Sequence, residues 1–205
     1  MIMTKGCNPN HPKKGTSTKV QPIRSLHAIA QIKRRLANQP RNLCLFTLGI
    51  NTAYRANELL SLTIGQVEHL QVGDVLDIKQ SKNSRYRATA INQMVYDALQ
   101  NWLAQHPKRL QPDARLFMSR HYRHEALTVS AVNQLIKQWC FDAGLRENYG
   151  SHSLRKTWGY QQRMKNKASV ALLMRAYGHV SEAQTLDYLG ILADEIHQLY
   201  FDLEL

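Results

Sequence analysis

The 205-residue sequence predicts an α+β fold, mainly helical, with one small antiparallel sheet. Three observations lead there. Apolar residues recur at three- and four-residue spacing along most of the chain, the period of helices packed on a core. Between Gln66 and Ile91 that period shortens to the alternation of strands, around a polar turn at Ser81–Arg85. Hydrophobic residues make up 43% of the chain, enough for a substantial core, yet no apolar run approaches the ~20 residues of a membrane span. The start of the chain has no apolar signal-peptide core. Cys7, Cys44 and Cys140 are few, odd in number and scattered, which predicts a reducing, cytoplasmic setting with no disulfide framework and no zinc site.

Charge narrows the partner. The chain carries a net charge of +12, which favours a polyanion. The charge is also segregated. Ten Lys and Arg occur up to Arg55 with no acid before Glu58, whereas six acids and no Lys or Arg follow Arg175. The N-terminal part suits phosphates and the C-terminal tail does not.

Residues 1–20 read as a flexible basic arm, able to follow a DNA groove or to remain a solvated tail. Residues 21–205 read as one domain. Ser25 to about Asn38 predicts a helix with Leu26, Ile29, Ala30 and Leu36 inward and Lys33, Arg34 and Arg35 exposed. Leu43–Ile50 is apolar on most faces and predicts a buried helix. Arg55 and Glu58 then open another helix, three residues apart. Glu58 can hold the guanidinium and leave donors for an anion, or the two can form a purely structural ion pair.

Val75–Ile78 and Arg87–Ile91 predict antiparallel strands, with Lys82 and Arg85 in the polar turn between them. A lysine there can reach a bound duplex or simply be solvated. Asn92–Gln105 is an amphipathic helix stopped by Pro107. Arg120-His121-Tyr122-Arg123-His124 is a basic loop, suited to backbone phosphates or simply solvated. The series Val129, Val132, Leu135, Ile136, Trp139, Cys140 and Ala143 defines a strong helix, with Trp139 in the core.

Ser151–Gly190 carries the densest chemistry. His152 and Arg155 fall on one helical face. Gly178 suits a helix C-terminus and presents His179. Tyr188 lies nine residues later, on a helix opened by Ser181-x-x-Gln184 in the form of a capping box. Ile196, Leu199, Tyr200 and Leu203 share one face of a last helix, which packs on its own core or docks on another subunit.

Arg55, Lys82, His152, Arg155, His179 and Tyr188 together suit a phosphodiester. Arginines grip non-bridging oxygens and stabilise charge developing at phosphorus. A phenol, ordinarily ionising near pH 10, can attack phosphorus if a neighbouring histidine accepts its proton. A lysine can protonate the departing sugar oxygen. The sequence offers no paired carboxylates for glycosidase or two-metal nuclease chemistry.

These motifs, in this order, resemble the tyrosine recombinase, or phage integrase, family: Arg55 with Glu58, Lys82 on the hairpin, His152-x-x-Arg155, and Gly178-His179 followed by Tyr188. The resemblance runs from about residue 20 to the end. It implies the family's catalytic domain, with a small antiparallel three-stranded sheet, acting as a site-specific DNA recombinase or integrase. It implies Tyr188 as nucleophile, leaving a 3′-phosphotyrosyl link. Arg55, Arg155 and His179 would hold the phosphate, Lys82 would be the general acid, His152 would assist proton transfer and Glu58 would support Arg55. Strand transfer would need no metal and no cofactor. Lys33, Arg34, Arg35, Arg85, Arg87, Arg120, Arg123 and Lys156 are the expected DNA contacts. The partners implied are double-stranded DNA, other copies of the chain assembled on it, through the C-terminal helix at 192–203 among the possibilities, and accessory DNA-binding factors. The setting implied is a bacterial cytoplasm or nucleoid.

The family often has glycine where Ala53 stands. A separate N-terminal domain of about a hundred residues does not fit before Ser25, as in short bacterial members such as the fimbrial-switch invertases. Trp158 reads as core, and Gly159 has no family role. Two other readings remain: a non-catalytic DNA-binding regulator that retains the fold, and an enzyme resembling type IB topoisomerases.

Overall fold

Helix α2 (Pro40–Asn51) lies at the centre of the molecule, and its composition says why. Proline at its first position needs no N–H donor there. Cys44 through Gly49 are all buried, so the helix must be surrounded. It packs on α1 (Leu26–Arg35), α3 (Ala56–Ser61), α5 (Gln93–Ala104) and α7 (Ser151–Met164). The computed structural model describes residues 19–79, 86–119, 125–191 and 193–202. The remaining elements are α4 (Ile64–Val67), β1 (Val75–Lys79), β2 (Tyr86–Ala90), α6 (Val129–Asp142), α8 (Val170–Tyr177), α9 (Glu182–Leu189) and α10 (Ala193–Asp202). Among the described residues no helix is long and apolar enough to cross a membrane.

Local chemistry starts these helices where the sequence expects. Ser25, Asn92, Thr128, Ser169 and Ser181 each accept the N–H of the residue three positions on. Trp139 sits in the core against the edge of Phe46, with ring centroids 6.0 Å apart. Trp102 is buried as well and donates its indole N–H to the Leu116 carbonyl at 2.7 Å.

Two expectations need correction. Of the residues expected inward on α1, Ile29 and Leu36 pack on the core, joined by Ala28 and Ile32, whereas Leu26 is 54% exposed and Ala30 is exposed. Ala28, Ile32 and Leu36 are four residues apart and so form one ridge of α1, the side that meets α2 and α6. Lys33 is half-buried rather than exposed, and burial lowers its pKa. Among the described residues, the small antiparallel sheet that the sequence predicts has two strands.

Those strands pair antiparallel, from Val75 opposite Ala90 to Lys79 opposite Tyr86. The hairpin is tied down at its base. Tyr54 donates its hydroxyl to the Leu76 carbonyl at 2.6 Å, and the Thr89 hydroxyl lies 3.3 Å from the Thr52 carbonyl. The turn between α2 and α3 therefore anchors the hairpin on one side and leads into Arg55 on the other.

Ala53 occupies that turn with φ +55°. An L-residue in this region costs roughly 1–2 kcal/mol, which explains why glycine suits the position. Its methyl is buried with Leu173, Tyr177 and Leu189, and burial of one carbon offsets about 0.8 kcal/mol of that cost. Ala53→Gly should therefore stay within about 1 kcal/mol of the wild type in urea denaturation. Ala53→Val, β-branched at positive φ, should lose about 2 kcal/mol or more.

Candidate active site

Arg155 is a buried charge, at 2% exposure. It sits in the second turn of α7. Leu154 just before it packs against α2 so closely that a Cβ at Gly49 would stand 2.4 Å from Leu154 Cδ1. That close approach fixes where the guanidinium points. Arg155 Nη1 donates to the Ala53 carbonyl, and Nη2 donates to the Tyr177 carbonyl at 2.7 Å. Its guanidinium carbon lies 4.6 Å from the Tyr177 ring centroid and 5.9 Å from that of Tyr188.

Arg55 is two residues beyond Ala53 and caps α3. Glu58, 2% exposed, accepts its backbone N–H at 2.7 Å and its Nη1 at 2.8 Å. One carboxylate thus fixes both ends of the residue, and the rest of the fork keeps its donors for another acceptor. The Arg55 side chain is 22% exposed.

Helix α8 ends in a Schellman motif. Gly178, at φ +65°, donates to the Arg175 carbonyl at 3.0 Å, and His179 donates its backbone N–H to the Met174 carbonyl at 3.0 Å. The left-handed turn delivers His179 to the site, stacked on Tyr177 with centroids 4.9 Å apart. His179 Nδ1 lies 3.1 Å from the buried Thr185 hydroxyl, which also lies 3.4 Å from the Ser181 carbonyl. If the hydroxyl donates to that carbonyl, it accepts from the imidazole and Nδ1 carries the proton. The Ser181 cap is present, but Gln184 turns its carboxamide oxygen to Val180 N–H, at 3.3 Å, rather than to Ser181.

Tyr188, on α9, rests in its own chain's site. His152 Nδ1 lies 3.2 Å from its hydroxyl. Tyr177 meets its ring edge-on at 5.1 Å and His179 at 5.2 Å. The Lys156 ammonium stands 5.0 Å over the ring. Lys156, expected among the DNA contacts, is only 7% exposed. Burial lowers its pKa, Asp187 opposes that, and Lys19 and Arg24 reinforce it. Asp187 is paired with Lys19, whose hydrogen bond holds the carboxyl below its ordinary range.

Lys82, Arg85, Arg120 and Arg123 lie outside the described residues. Arg87 falls in β2 opposite Ile78. Lys33, Arg34 and Arg35 form the last turn of α1, where they complement the helix dipole. Arg35 also lines a cavity of about 270 Å³ with Trp139 and Asp142.

Tyr177 is the residue that sequence reasoning missed. It is fully buried and donates its hydroxyl to the Arg155 carbonyl at 3.0 Å. That carbonyl is reached across Gly159, four residues on, where a Cβ would stand 1.8 Å from Tyr177 Oη. Gly159 therefore has a role: it opens α7 to the tyrosine. Trp158 lies half-buried beside it, edge-on to Tyr177 at 5.4 Å. The signals were in the sequence as a glycine inside a helix and an aromatic just before Gly178-His179, but nothing local pairs them.

Residues 21–194 match the phage integrase family. The chain is 32% identical over 182 residues to the probable integrase/recombinase YoeC of Bacillus subtilis, covering 88% of this chain and 95% of that protein. The chain belongs to the phage integrase family. Its activity falls with site-specific DNA recombination and integration of the tyrosine-recombinase type. It is also 29% identical over 147 residues to the tyrosine recombinase XerH of Campylobacter jejuni, covering 70% of this chain and 39% of that protein. Among solved structures, this integrase-family chain superimposes on the XerA recombinase with TM-score 0.71 at 20% identity, over 90% of this chain and 66% of that one. It matches XerH bound to palindromic difH substrate, a post-cleavage complex, with TM-score 0.71 at 23% identity, over 89% of this chain and 52% of that one. The mainly helical fold with a small antiparallel sheet is thus the one these integrase-family relatives share.

Gly159→Ala should lower stability by about 1–3 kcal/mol despite alanine's better helix propensity, because the tyrosine must move. Tyr177→Phe in the same background should recover part of the loss. Urea denaturation of the single and double variants reads both.

Proposed function

We propose that this chain cleaves and rejoins double-stranded DNA at specific sites through a 3′-phosphotyrosyl intermediate on Tyr188. The observation that carries the reading is the 3.2 Å approach of His152 Nδ1 to the Tyr188 hydroxyl, beside the buried Arg155 guanidinium. This is a nucleophile, a proton acceptor and a cation within one side-chain layer.

In this reading Tyr188 Oη attacks the scissile phosphorus and its proton passes to His152. The bond from phosphorus to the 5′ oxygen breaks, and Lys82 protonates that oxygen. Arg55, Arg155 and His179 hold the non-bridging oxygens, where their donors count most as charge builds in the transition state. Glu58 keeps Arg55 aimed. The bond energy stays in the phosphotyrosyl ester, so the reverse attack by a 5′-hydroxyl reseals DNA without metal, cofactor or ATP. Lys33, Arg34, Arg35, Arg85, Arg87, Arg120 and Arg123, with the arm at residues 1–20, supply phosphate contacts along the duplex.

Assembly of copies on DNA through α10 fits its surface. Ile196, Tyr200 and Phe201 are 50%, 76% and 72% exposed, more apolar area than a solvated helix presents. Tyr160 holds the near end by a hydrogen bond to Glu195.

Two experiments test the reading. Incubation with a library of nicked duplexes, followed by a denaturing gel, should trap a covalent protein–DNA adduct. Tyr188→Phe should form none while keeping its DNA affinity. Absence of adduct from the wild type across the library overturns the reading and leaves the DNA-binding regulator. A chain ending at Gly190 should still bind DNA as a monomer and lose higher-order complexes in native gels; unchanged complexes would remove the role of α10.

A further inference from the structure

Lys156 is a buried ammonium with a cost to explain. It is 7% exposed, and an ion taken out of water needs compensation of several kcal/mol. A phosphate contact is not needed to account for it, because the ammonium already lies over the ring of Tyr188. Two features of the surroundings compensate it. The Tyr188 π face lies 5.0 Å from Nζ, within the range of a cation–π contact and in a place poor in water, where that contact is strongest. Asp187, the neighbour of Tyr188 on α9, favours the charged ammonium and is held in turn by Lys19 from the segment entering the domain.

We propose that Lys156 is a positioning residue for Tyr188, holding the phenol ring docked in its own chain's site by a cation–π contact. Tyr188 is on a helix of eight residues, and its ring also stands in T-shaped contact with Tyr177 at 5.1 Å and His179 at 5.2 Å. These contacts limit sideways motion. The ammonium over the face, with the more distant Arg155 at 5.9 Å, opposes withdrawal of the ring from the layer. Lys19 and Arg24 work on the same helix from outside. Lys19 pairs with Asp187, and Arg24 donates to the Gly190 carbonyl at 2.6 Å, just past the end of α9. The lysine is therefore part of a set of cations that keeps α9 seated, and it is the member that touches the reactive side chain.

The inference uses the reading of Tyr188 as nucleophile only for its functional consequence; the docking itself is measurable without DNA. Hydroxyl-radical footprinting of the free protein, read by mass spectrometry, gives the accessibility of the Tyr188 ring. Lys156→Met keeps the length and removes the charge, and should raise Tyr188 labelling several-fold. Lys156→Arg keeps a cation able to lie on the ring and should leave labelling near the wild-type level. At saturating nicked DNA, Lys156→Met should slow single-turnover adduct formation about tenfold, with DNA affinity within about twofold and Lys156→Arg close to wild type. Unchanged labelling in Lys156→Met overturns the proposal, whatever the adduct assay gives. Weaker DNA binding with a shallower salt dependence and an unchanged saturated rate also overturns it, since that is the signature of a phosphate contact. So does equal loss in the Met and Arg variants with a lowered melting temperature, which marks a packing role. Absence of adduct from the wild type, with labelling behaving as expected, sinks the nucleophile reading and leaves the docking contact standing.

Discussion

The buried guanidinium of Arg155 is the constraint that organises this molecule. A permanently charged group at 2% exposure must find acceptors, and it takes two backbone carbonyls that sit at chain reversals. One belongs to Ala53, in the left-handed turn between α2 and α3; the other to Tyr177, the last residue of α8. Carbonyls at helix ends and turns lie outside the regular i to i−4 ladder, which suits them to a side-chain donor. Three segments far apart in the chain are thereby fixed to one cation. Arg55 follows the first carbonyl by two residues and His179 follows the second by two, so the same bonds that satisfy Arg155 place its neighbours.

Tyr177 and Gly159 complete that arrangement. The tyrosine hydroxyl closes on the Arg155 carbonyl, its ring lies against the guanidinium, and the His179 imidazole stacks on it. One aromatic side chain thus couples an arginine from α7 to a histidine beyond α8. The absent Cβ at Gly159 is what lets it approach. Aromatic contact and hydrogen bonding act together here, and neither would hold the imidazole alone.

Much of the site was legible from spacing. His152 and Arg155 share a helical face because three residues make almost one turn. Arg55 and Glu58 pair for the same reason, and Gly178 marks a helix end because its backbone enters the left-handed region. Each of these signals is local, so each survives in a sequence read without coordinates. The illegible parts are long-range. Nothing near Lys156 says that a ring 32 positions later will cover it, and a basic residue beside Arg155 looks like a surface contact until α9 folds over it. The α1 stripe was misread for a related reason: several apolar residues fit a helical period, and the partner surface chooses Ala28 and Ile32 over Leu26.

The amino-acid sequence by itself determined which chemical groups this chain carries, their order, the helix ends that present them, and through those motifs the phage integrase family. Tertiary structure alone decided which of them meet: the carbonyls that receive Arg155, the tyrosine threaded over Gly159, the lysine seated under Tyr188, and the two-stranded hairpin bound to the turn before Arg55. The physical reason is range. Caps, periods and turns arise from dihedral preferences within a few residues, whereas a buried charge and a close-packed ring are satisfied only by atoms that the whole fold brings to them.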